Sequence, residues 1–287
     1  MKTKRPQPRR GNLIQRMVLA PYSVWALLFI VVPLFFIAFY AFTDSQMHFT
    51  LNNIRNVFTY RVNPDQALPY YVMVFGRSLK LAIISTLICL LLGYPFAYRI
   101  AHASPRVQSI LITIIMIPMW MNFLIRTYAW MVILQDKGIL NGGLGLLGLA
   151  PVHVIGTETA VVIGMVYDYL PYMILPIYSV MAKMDNKLIE AAKDLGCNGA
   201  SVLRRVIWPL SLPGVISGVN MVLIPSVSTF YISQKLGGKM KLIGDEIEEK
   251  YTNFDFNGAA AIAFIMMVLL LVVMALLQHR ANKRSVA

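Results

Sequence analysis

The chain has 287 residues, of which 57% are hydrophobic and only 14% are charged. Average soluble domains carry about 25% charged residues, so a soluble fold with this much apolar surface would lack the charges to cover it. The composition therefore excludes an ordinary soluble domain and predicts an all-α integral membrane protein.

Six apolar runs are long enough to cross the hydrocarbon core of a bilayer, which takes about 20 helical residues. They cover residues 18–42, 72–98, 107–134, 159–181, 213–233 and 258–278. The predicted organisation is a basic tail over residues 1–17, a six-span domain over residues 18–278 and a second basic tail over residues 279–287. The first run is too long for the core of a signal peptide and is interpreted as an uncleaved anchor.

The basic residues predict the orientation of these spans. Residues 1–17, 99–106, 182–212 and 279–287 together hold 16 of the 26 Lys and Arg residues but only three of the 13 acidic residues. Because loops rich in Lys and Arg stay on the cytoplasmic side, both termini and the loop over residues 182–212 are expected in the cytoplasm of a bacterial cell, with the chain in its inner membrane. The net charge of +13 is thus a topology signal, and no nucleic-acid partner is expected.

The loop between the fourth and fifth spans predicts a short amphipathic helix outside the membrane. Asp185 or Asn186 can cap its first turn, and Gly196 stands where a left-handed residue ends a helix. Apolar residues recur at helical spacing at Leu188, Ile189, Ala191, Ala192 and Leu195. One interpretation is a helix resting on lipid headgroups. The other is a docking helix for a soluble partner.

The residues of this helix resemble a known motif. Glu190-Ala191-Ala192, followed by Gly196 four residues after Ala192, is similar to the "EAA" loop of ABC-importer permease subunits. The resemblance implies a type I permease fold, with six spans and a cytoplasmic coupling helix that sits in a cleft of a nucleotide-binding ATPase subunit. The residues implied to contact the ATPase are Glu190, Ala191, Ala192, Asp194, Leu195 and Gly196.

Further segments resemble the spermidine/putrescine permease family. They are residues 92–98, 122–128, 170–178 and 230–231. This resemblance implies a polyamine substrate, a second permease subunit, two ATPase subunits and an extracytoplasmic binding protein. Two alternatives stay open: an ABC permease for an amino acid, thiamine, an iron chelate or an oxyanion, and a secondary transporter or channel that needs no ATPase.

No sequence pattern supports catalysis by this chain. A phosphate-binding loop of the form Gly-x-x-x-x-Gly-Lys-Ser/Thr does not occur, because the Gly237-Gly238-Lys239 run continues with Met240. The four histidines are scattered, so no metal site is predicted. We expect a transport subunit without a cofactor of its own, with ATP and Mg²⁺ held by the partner ATPase.

Ionisable and polar groups inside membrane spans are candidates for a substrate pathway. Asp168 lies about 14 Å into the fourth span at 1.5 Å per residue, where an ionised carboxylate would attract a cation and aromatic faces would hold an ammonium group. The alternative is that Asp168 pairs with a lysine or arginine for structural reasons. The predicted pathway residues are Asp168, Tyr167, Tyr172, Trp120, Asn122, Pro225, Ser226, Ser228 and Tyr231.

Two features stand apart from this prediction. Arg126, near the outer end of the third span, would repel a polyamine unless it reaches the interface or pairs with a carboxylate such as Asp136. The outer segment over residues 234–257 contains five consecutive residues with four acids, Asp245 to Glu249. It is interpreted first as a solvated loop, and second as part of a landing surface for the binding protein.

Overall fold

The computed structural model describes residues 13–285, and its helices account for most of that length. The predicted tail residues 1–12 and 286–287 lie outside the described part. The helices are α1 (Leu13–Ala26), α2 (Val32–Ala41), α3 (Asn52–Thr59), α4 (Tyr70–Ala101), α5 (Pro105–Trp120), α6 (Phe123–Leu134), α7 (Ile139–Leu146), α8 (Glu158–Met181), α9 (Asn186–Asp194), α10 (Gly199–Val202), α11 (Trp208–Ser228), α12 (Tyr231–Leu236), α13 (Ile243–Thr252) and α14 (Phe256–Ser285). Apart from one isolated bridge between Thr43 and Phe49, residues 13–285 hold no β-structure.

The prediction of an all-helical protein with six spans is confirmed. Five continuous helical stretches are long and apolar enough to cross a membrane, and a sixth span results if α5 and the helices after it count as one broken span. The stretches are Ala20–Ala41, Tyr70–Ala101, Glu158–Met181, Gly199–Ser228 and Phe256–Leu276. A π-helical turn, Leu27–Val31, joins α1 to α2 within the first of them.

The third span is not the single helix expected over residues 107–134. The chain bends by 93° between Pro105–Trp120 and Phe123–Leu146. Pro118 lies in the last turn of α5, Met121 is extended, and the Asn122 side chain accepts a hydrogen bond from the Leu124 N–H at 2.8 Å. A proline, an extended residue and a new N-cap together end one helix and begin the next.

The fifth span also differs from its expected range of 213–233. It begins earlier, since α10, a π-helical turn (Leu203–Ile207) and α11 run on without a break. It ends earlier as well, because Thr229 is extended and α12 starts in a new direction at Tyr231. The segment between the fourth and fifth spans is therefore shorter than the 182–212 loop, and it consists mainly of α9.

Three helices, α4, α8 and α11, form the centre of the bundle. Leu81, Met165, Met173 and Ile177 are fully buried between them. Glycine lets the helices approach closely: a Cβ on Gly214 would lie 2.9 Å from the Pro176 carbonyl oxygen. The first span stays apart from this centre. Only 6% of its most apolar part is buried inside the protein, whereas 56% of the corresponding part of Glu158–Met181 is buried.

The helices between spans one and two, three and four, and five and six gather at one end. The Tyr70 hydroxyl donates to a Glu246 carboxylate oxygen at 2.6 Å, and the Ile243 N–H donates to the Ser78 hydroxyl at 2.8 Å. Asp245 and Glu246 are buried. The interpretation of residues 234–257 as a solvated loop is thus wrong for these acids, because α13 packs against the start of α4.

Candidate translocation pathway and coupling helix

The helix α9 is presented on the surface. The Asp185 side chain caps it by accepting the Lys187 N–H at 3.0 Å, and Gly196 ends it with φ at 82°, as its sequence predicts. Ile189 is buried and anchors the helix to the bundle. Of the six residues predicted to contact an ATPase, five are exposed: Glu190, Ala191, Asp194, Leu195 and Gly196. The sixth, Ala192, is half-buried.

Leu188 and Leu195 extend this exposed surface. They are 49% and 86% exposed, and they lie close in sequence to Glu190 and Asp194. An exposed apolar pair beside carboxylates is typical of a surface that another molecule covers. The coupling role of α9 stays a prediction.

Asp168 and Arg126 form an ion pair inside the bundle. One Nη of Arg126, on α6, lies 3.2 Å from a carboxylate oxygen of Asp168, on α8, and both side chains are almost wholly buried. Asp136, the partner suggested for Arg126, instead contacts His153 at 2.6 Å. The structure therefore matches the alternative interpretation of Asp168 as the partner of an arginine, and direct contact of Asp168 with a substrate stays a prediction.

Among the other predicted pathway residues of the fourth and fifth spans, some make contacts within the bundle and Tyr172 is partly exposed. Tyr167 packs edge-on against Trp130 at 5.3 Å between ring centres, and Tyr172 is 36% exposed. The Ser226 and Ser228 hydroxyls donate to carbonyl oxygens one turn back, at 2.6 and 3.2 Å. Pro225 is half-buried, and its carbonyl accepts the Tyr169 hydroxyl at 3.4 Å.

Trp120, Asn122 and Tyr231 lie at the two helix breaks, which face each other. The ring of Phe123, the first residue of α6, lies 5.9 Å from the ring of Tyr231, the first residue of α12. Trp120 is 75% exposed at the end of α5. Broken helices at membrane depth are tolerated where they line a cavity or are buried in protein. This junction is therefore the part of the predicted pathway whose residues the fold places side by side.

A polar cleft of about 300 Å³ opens beside α13. Lys241 pairs there with Glu249, and Gln234 donates to Glu248 at 3.1 Å. Burial raises the pKa of Asp245 to about 6, although the Leu242 N–H that it accepts opposes the shift. Within residues 13–285, no three His, Cys, Asp or Glu side chains are grouped so that they could hold a metal ion.

Comparison with known families decides the class of protein. Residues 90–286 match the family described as "Binding-protein-dependent transport system inner membrane component". The chain belongs to this family. The prediction of an importer permease is thereby confirmed, and the buried ion pair, the broken spans and α9 are features of a permease subunit.

Two relatives with curated names are similar to this permease along nearly its whole length. The "Spermidine/putrescine transport system permease protein PotB" of Haemophilus influenzae is 38% identical over 95% of this chain and 96% of that protein. The protein of the same name from Escherichia coli is 36% identical over 90% of this chain and 94% of its own length. The resemblance to spermidine/putrescine permeases is confirmed.

A solved structure supports the fold independently. A chain from the crystal structure of a bacterial alginate ABC transporter in complex with an alginate pentasaccharide-bound periplasmic protein superposes with a TM-score of 0.76. The superposition covers 94% of both chains at 15% identity, so it shows the permease fold alone.

Sequence reasoning missed one contact in this permease. The Lys235 Nζ lies over the rings of Tyr128 and Tyr231, 5.1 and 5.5 Å from their centres. The sequence predicts no role for Tyr128 beyond the family resemblance of residues 122–128, and it places Lys235 in the outer segment over residues 234–257. No spacing in the sequence links positions 128 and 235, because the contact depends on how α6 and α12 turn away from their spans.

Proposed function

We propose that this chain is the permease subunit of an ATP-driven polyamine importer that takes up spermidine or putrescine. The supporting observation is its 38% identity, over 95% of the chain, to a permease named for spermidine/putrescine transport. The chain contributes the translocation pathway and couples it to a separate ATPase.

The proposed assembly contains a second permease subunit, two ATPase subunits and an extracytoplasmic substrate-binding protein. ATP and Mg²⁺ are bound and used on the ATPase subunits. Both termini and α9 face the cytoplasm, because 16 of the 26 Lys and Arg residues lie in the tails and in the loops on that side. The helices α3, α7, α12 and α13 then face the binding protein.

The connection between α9 and the pathway suggests how motion is transmitted. A few residues after α9 ends, the continuous stretch Gly199–Ser228 begins, and it runs to the break at Thr229. Closure of the ATPase pair displaces α9, and the continuous helical stretch carries that displacement to the junction of Phe123 and Tyr231. Alternating access results if the junction opens to one side at a time.

The electrostatics of the pathway fit a cationic substrate. Arg126 would oppose a polyamine if its charge were free, but the carboxylate of Asp168 stands 3.2 Å away and compensates it. An incoming cation therefore does not meet a free positive charge at Arg126. Arg126 was also the main residue in favour of an anionic substrate, and its pairing with Asp168 weakens that alternative.

Uptake in a strain that lacks the gene tests the substrate. Radiolabelled putrescine, spermidine and sulfate are supplied to cells with and without the gene on a plasmid. We expect restored uptake of at least one polyamine and no change for sulfate. Restored sulfate uptake without polyamine uptake would refute the proposal.

The substitution Glu190→Lys tests coupling. It reverses a charge on the exposed face of α9 without touching a buried contact, so we expect normal membrane insertion but loss of polyamine uptake or of ATPase co-purification. Asp65→Lys makes the same charge change in an exposed loop of the opposite end and serves as the control. Wild-type uptake and normal ATPase capture by the Glu190 variant would exclude the docking role.

A further inference from the structure

A lysine ammonium is held by two aromatic rings where the broken third and fifth spans meet. Lys235 lies in the last turn of α12, and its Nζ stands 5.1 Å from the Tyr128 ring centre and 5.5 Å from that of Tyr231. The two rings meet edge to face at 6.1 Å. Attraction of an ammonium to ring faces within about 6 Å is the interaction by which aromatic cages recognise ammonium ligands.

Unlike Lys241 and Lys250 on the same side of the bundle, this lysine forms no ion pair with an acidic residue of the described chain. Lys241 pairs with Glu246 and Glu249, and Lys250 pairs with Asp255 at 2.6 Å. Among the residues that the structure describes, no carboxylate lies within ion-pair distance of Lys235, so its charge is held by the two tyrosines, through their rings and the Tyr128 hydroxyl. The arrangement is a cation site that the chain fills with its own side chain.

The chemistry of the occupant matches that of the proposed substrate. A lysine side chain ends in four methylene groups and a primary ammonium, which is the structure of the aminobutyl arm that putrescine and spermidine share. Any site that accepts the end of the Lys235 side chain therefore has the right length and charge preference for such an arm.

The rings are also accessible. Tyr128 is 44% exposed and Tyr231 is half-buried. They lie beside the facing breaks, since Tyr231 contacts Phe123 at 5.9 Å. Arg126, two residues from Tyr128, does not repel a cation there because its charge is compensated by Asp168.

We propose that Tyr128 and Tyr231 form a binding site for an aminoalkyl arm of the transported cation, which Lys235 occupies as a tethered competitor until the substrate displaces it. The inference rests on the proposed polyamine function. It assigns a substrate contact to two tyrosines and an opposing role to a lysine. It also explains how the empty site is kept from holding unrelated cations.

Direct binding tests the competition. The chain is purified with its partner permease and ATPase subunits, placed in lipid nanodiscs without the binding protein, and titrated with radiolabelled putrescine and spermidine. We expect Lys235→Met to tighten binding by about three- to fivefold, the affinity equivalent of one exposed ammonium–ring contact. Unchanged or weaker binding would overturn the proposal.

A double-mutant cycle separates competition for the rings from simple charge repulsion. The double variant Tyr128→Leu and Tyr231→Leu removes the rings, and we expect weaker binding that Lys235→Met no longer improves. If Lys235→Met tightens binding equally without the rings, the lysine acts only through its charge and the proposal fails. The double variant Tyr128→Phe and Tyr231→Phe keeps the rings and removes only the hydroxyls, and we expect it to keep wild-type affinity. Tyr128→Leu alone, at an exposed position, replaces the double variant if that one does not assemble.

Two controls complete the experiment. Lys239→Met removes an exposed charge four residues away, and we expect no change in affinity. Wild-type uptake of putrescine or spermidine, measured in parallel, distinguishes the two levels of inference. If the wild type transports neither, the polyamine function fails. If it transports one but the cycle shows no coupling, only the tyrosine site fails.

Discussion

At the scale of single residues, the buried pair of Arg126 and Asp168 joins the broken third span to the fourth. Each charge is removed from water, and the 3.2 Å contact between them is the compensation that the structure records. Removing one member of a buried pair is costly because it leaves the other charge without a partner.

The substitution Asp168→Asn should therefore destabilise the permease by about 3–5 kcal/mol, the usual effect of breaking a buried pair. The melting temperature of the purified complex measures this. Adding Arg126→Gln removes the stranded charge, and we expect most of the loss to be recovered. Asp136→Asn, which breaks an exposed contact with His153, should leave the melting temperature within about 1 °C. Equal melting temperatures for all four proteins would contradict a structural role of the pair.

A second prediction at this scale concerns pH. The pKa of Asp245 is raised to about 6 by burial, above its value of about 3.9 in an unfolded chain. Between these two values the folded state binds the extra proton, so this carboxyl stabilises the fold as pH falls from 7 towards 4. Asp245→Asn keeps an acceptor for the Leu242 N–H but cannot titrate.

The difference in melting temperature between wild type and Asp245→Asn reports the titration of Asp245 alone, because all other titratable groups are the same in both proteins. We expect the wild type to gain relative to the variant when the pH is lowered from 7 to 5. A difference that stays constant with pH would show that Asp245 does not titrate in this range.

At the scale of elements, α9 depends on the left-handed residue that ends it. Gly196 has φ at 82°, whereas Gly199, three residues on, lies in α10 without a positive φ, and neither would bring a new Cβ within 4 Å of another atom. Gly196→Ala should cost about 1–2 kcal/mol through backbone strain alone, and Gly199→Ala should be neutral.

Hydrogen exchange of residues 186–198 tests this pair of variants. We expect faster exchange in α9 with Gly196→Ala, since the helix opens more often when its end is strained. Identical exchange in both variants would mean that the C-terminal glycine does not limit the stability of α9.

The element scale also shows how far sequence reasoning reached. The caps and apolar spacing predicted α9 almost to the residue, because Asp185 and Gly196 act locally. The lengths of the apolar runs predicted continuous spans through the breaks after Trp120 and Ser228. Local signals are present at both, since Pro118 and Asn122 flank the first break and Pro225 precedes the second, but a proline alone does not tell a kink from a full break.

At the scale of the whole molecule, close contacts between α4, α8 and α11 hold the bundle together. A Cβ on Gly214 would meet the Pro176 carbonyl oxygen at 2.9 Å and the Ile177 Cα at 3.0 Å. Because backbone atoms cannot rotate away, Gly214→Ala should force α8 and α11 apart at a cost of about 1–3 kcal/mol. The yield and melting temperature of the purified complex measure the effect.

Gly76→Ala is the matched control. Gly76 lies in α4 at an exposed position, with no atom within 4 Å of a new Cβ. Alanine there should be neutral or stabilise by up to about 1 kcal/mol through helix propensity. Comparable losses in both variants would show that helix packing at Gly214 is not specific.

The arrangement of the whole was predictable only in part. Apolar runs predicted the number of spans, and the residues from Glu190 to Gly196 predicted the family. Pairing of Asp168 with a basic residue was one of two interpretations, but that Arg126 is its partner could not be predicted. The meeting of Tyr128, Tyr231 and Lys235 was not predictable either, because each contact joins residues from separate spans. Such contacts follow from the crossing geometry of the bundle, which no local spacing encodes.

The attachment of the first span has a consequence for how the protein is made. The Asn257 amide donates to the Thr43 carbonyl at 2.7 Å, and Phe42 packs on Phe264 at 5.2 Å. The end of the first span is thus held by α14, through a hydrogen bond between residues 214 positions apart in the chain. During synthesis, α2 enters the lipid well before α14 is made, so these contacts form only after the intervening spans have been inserted.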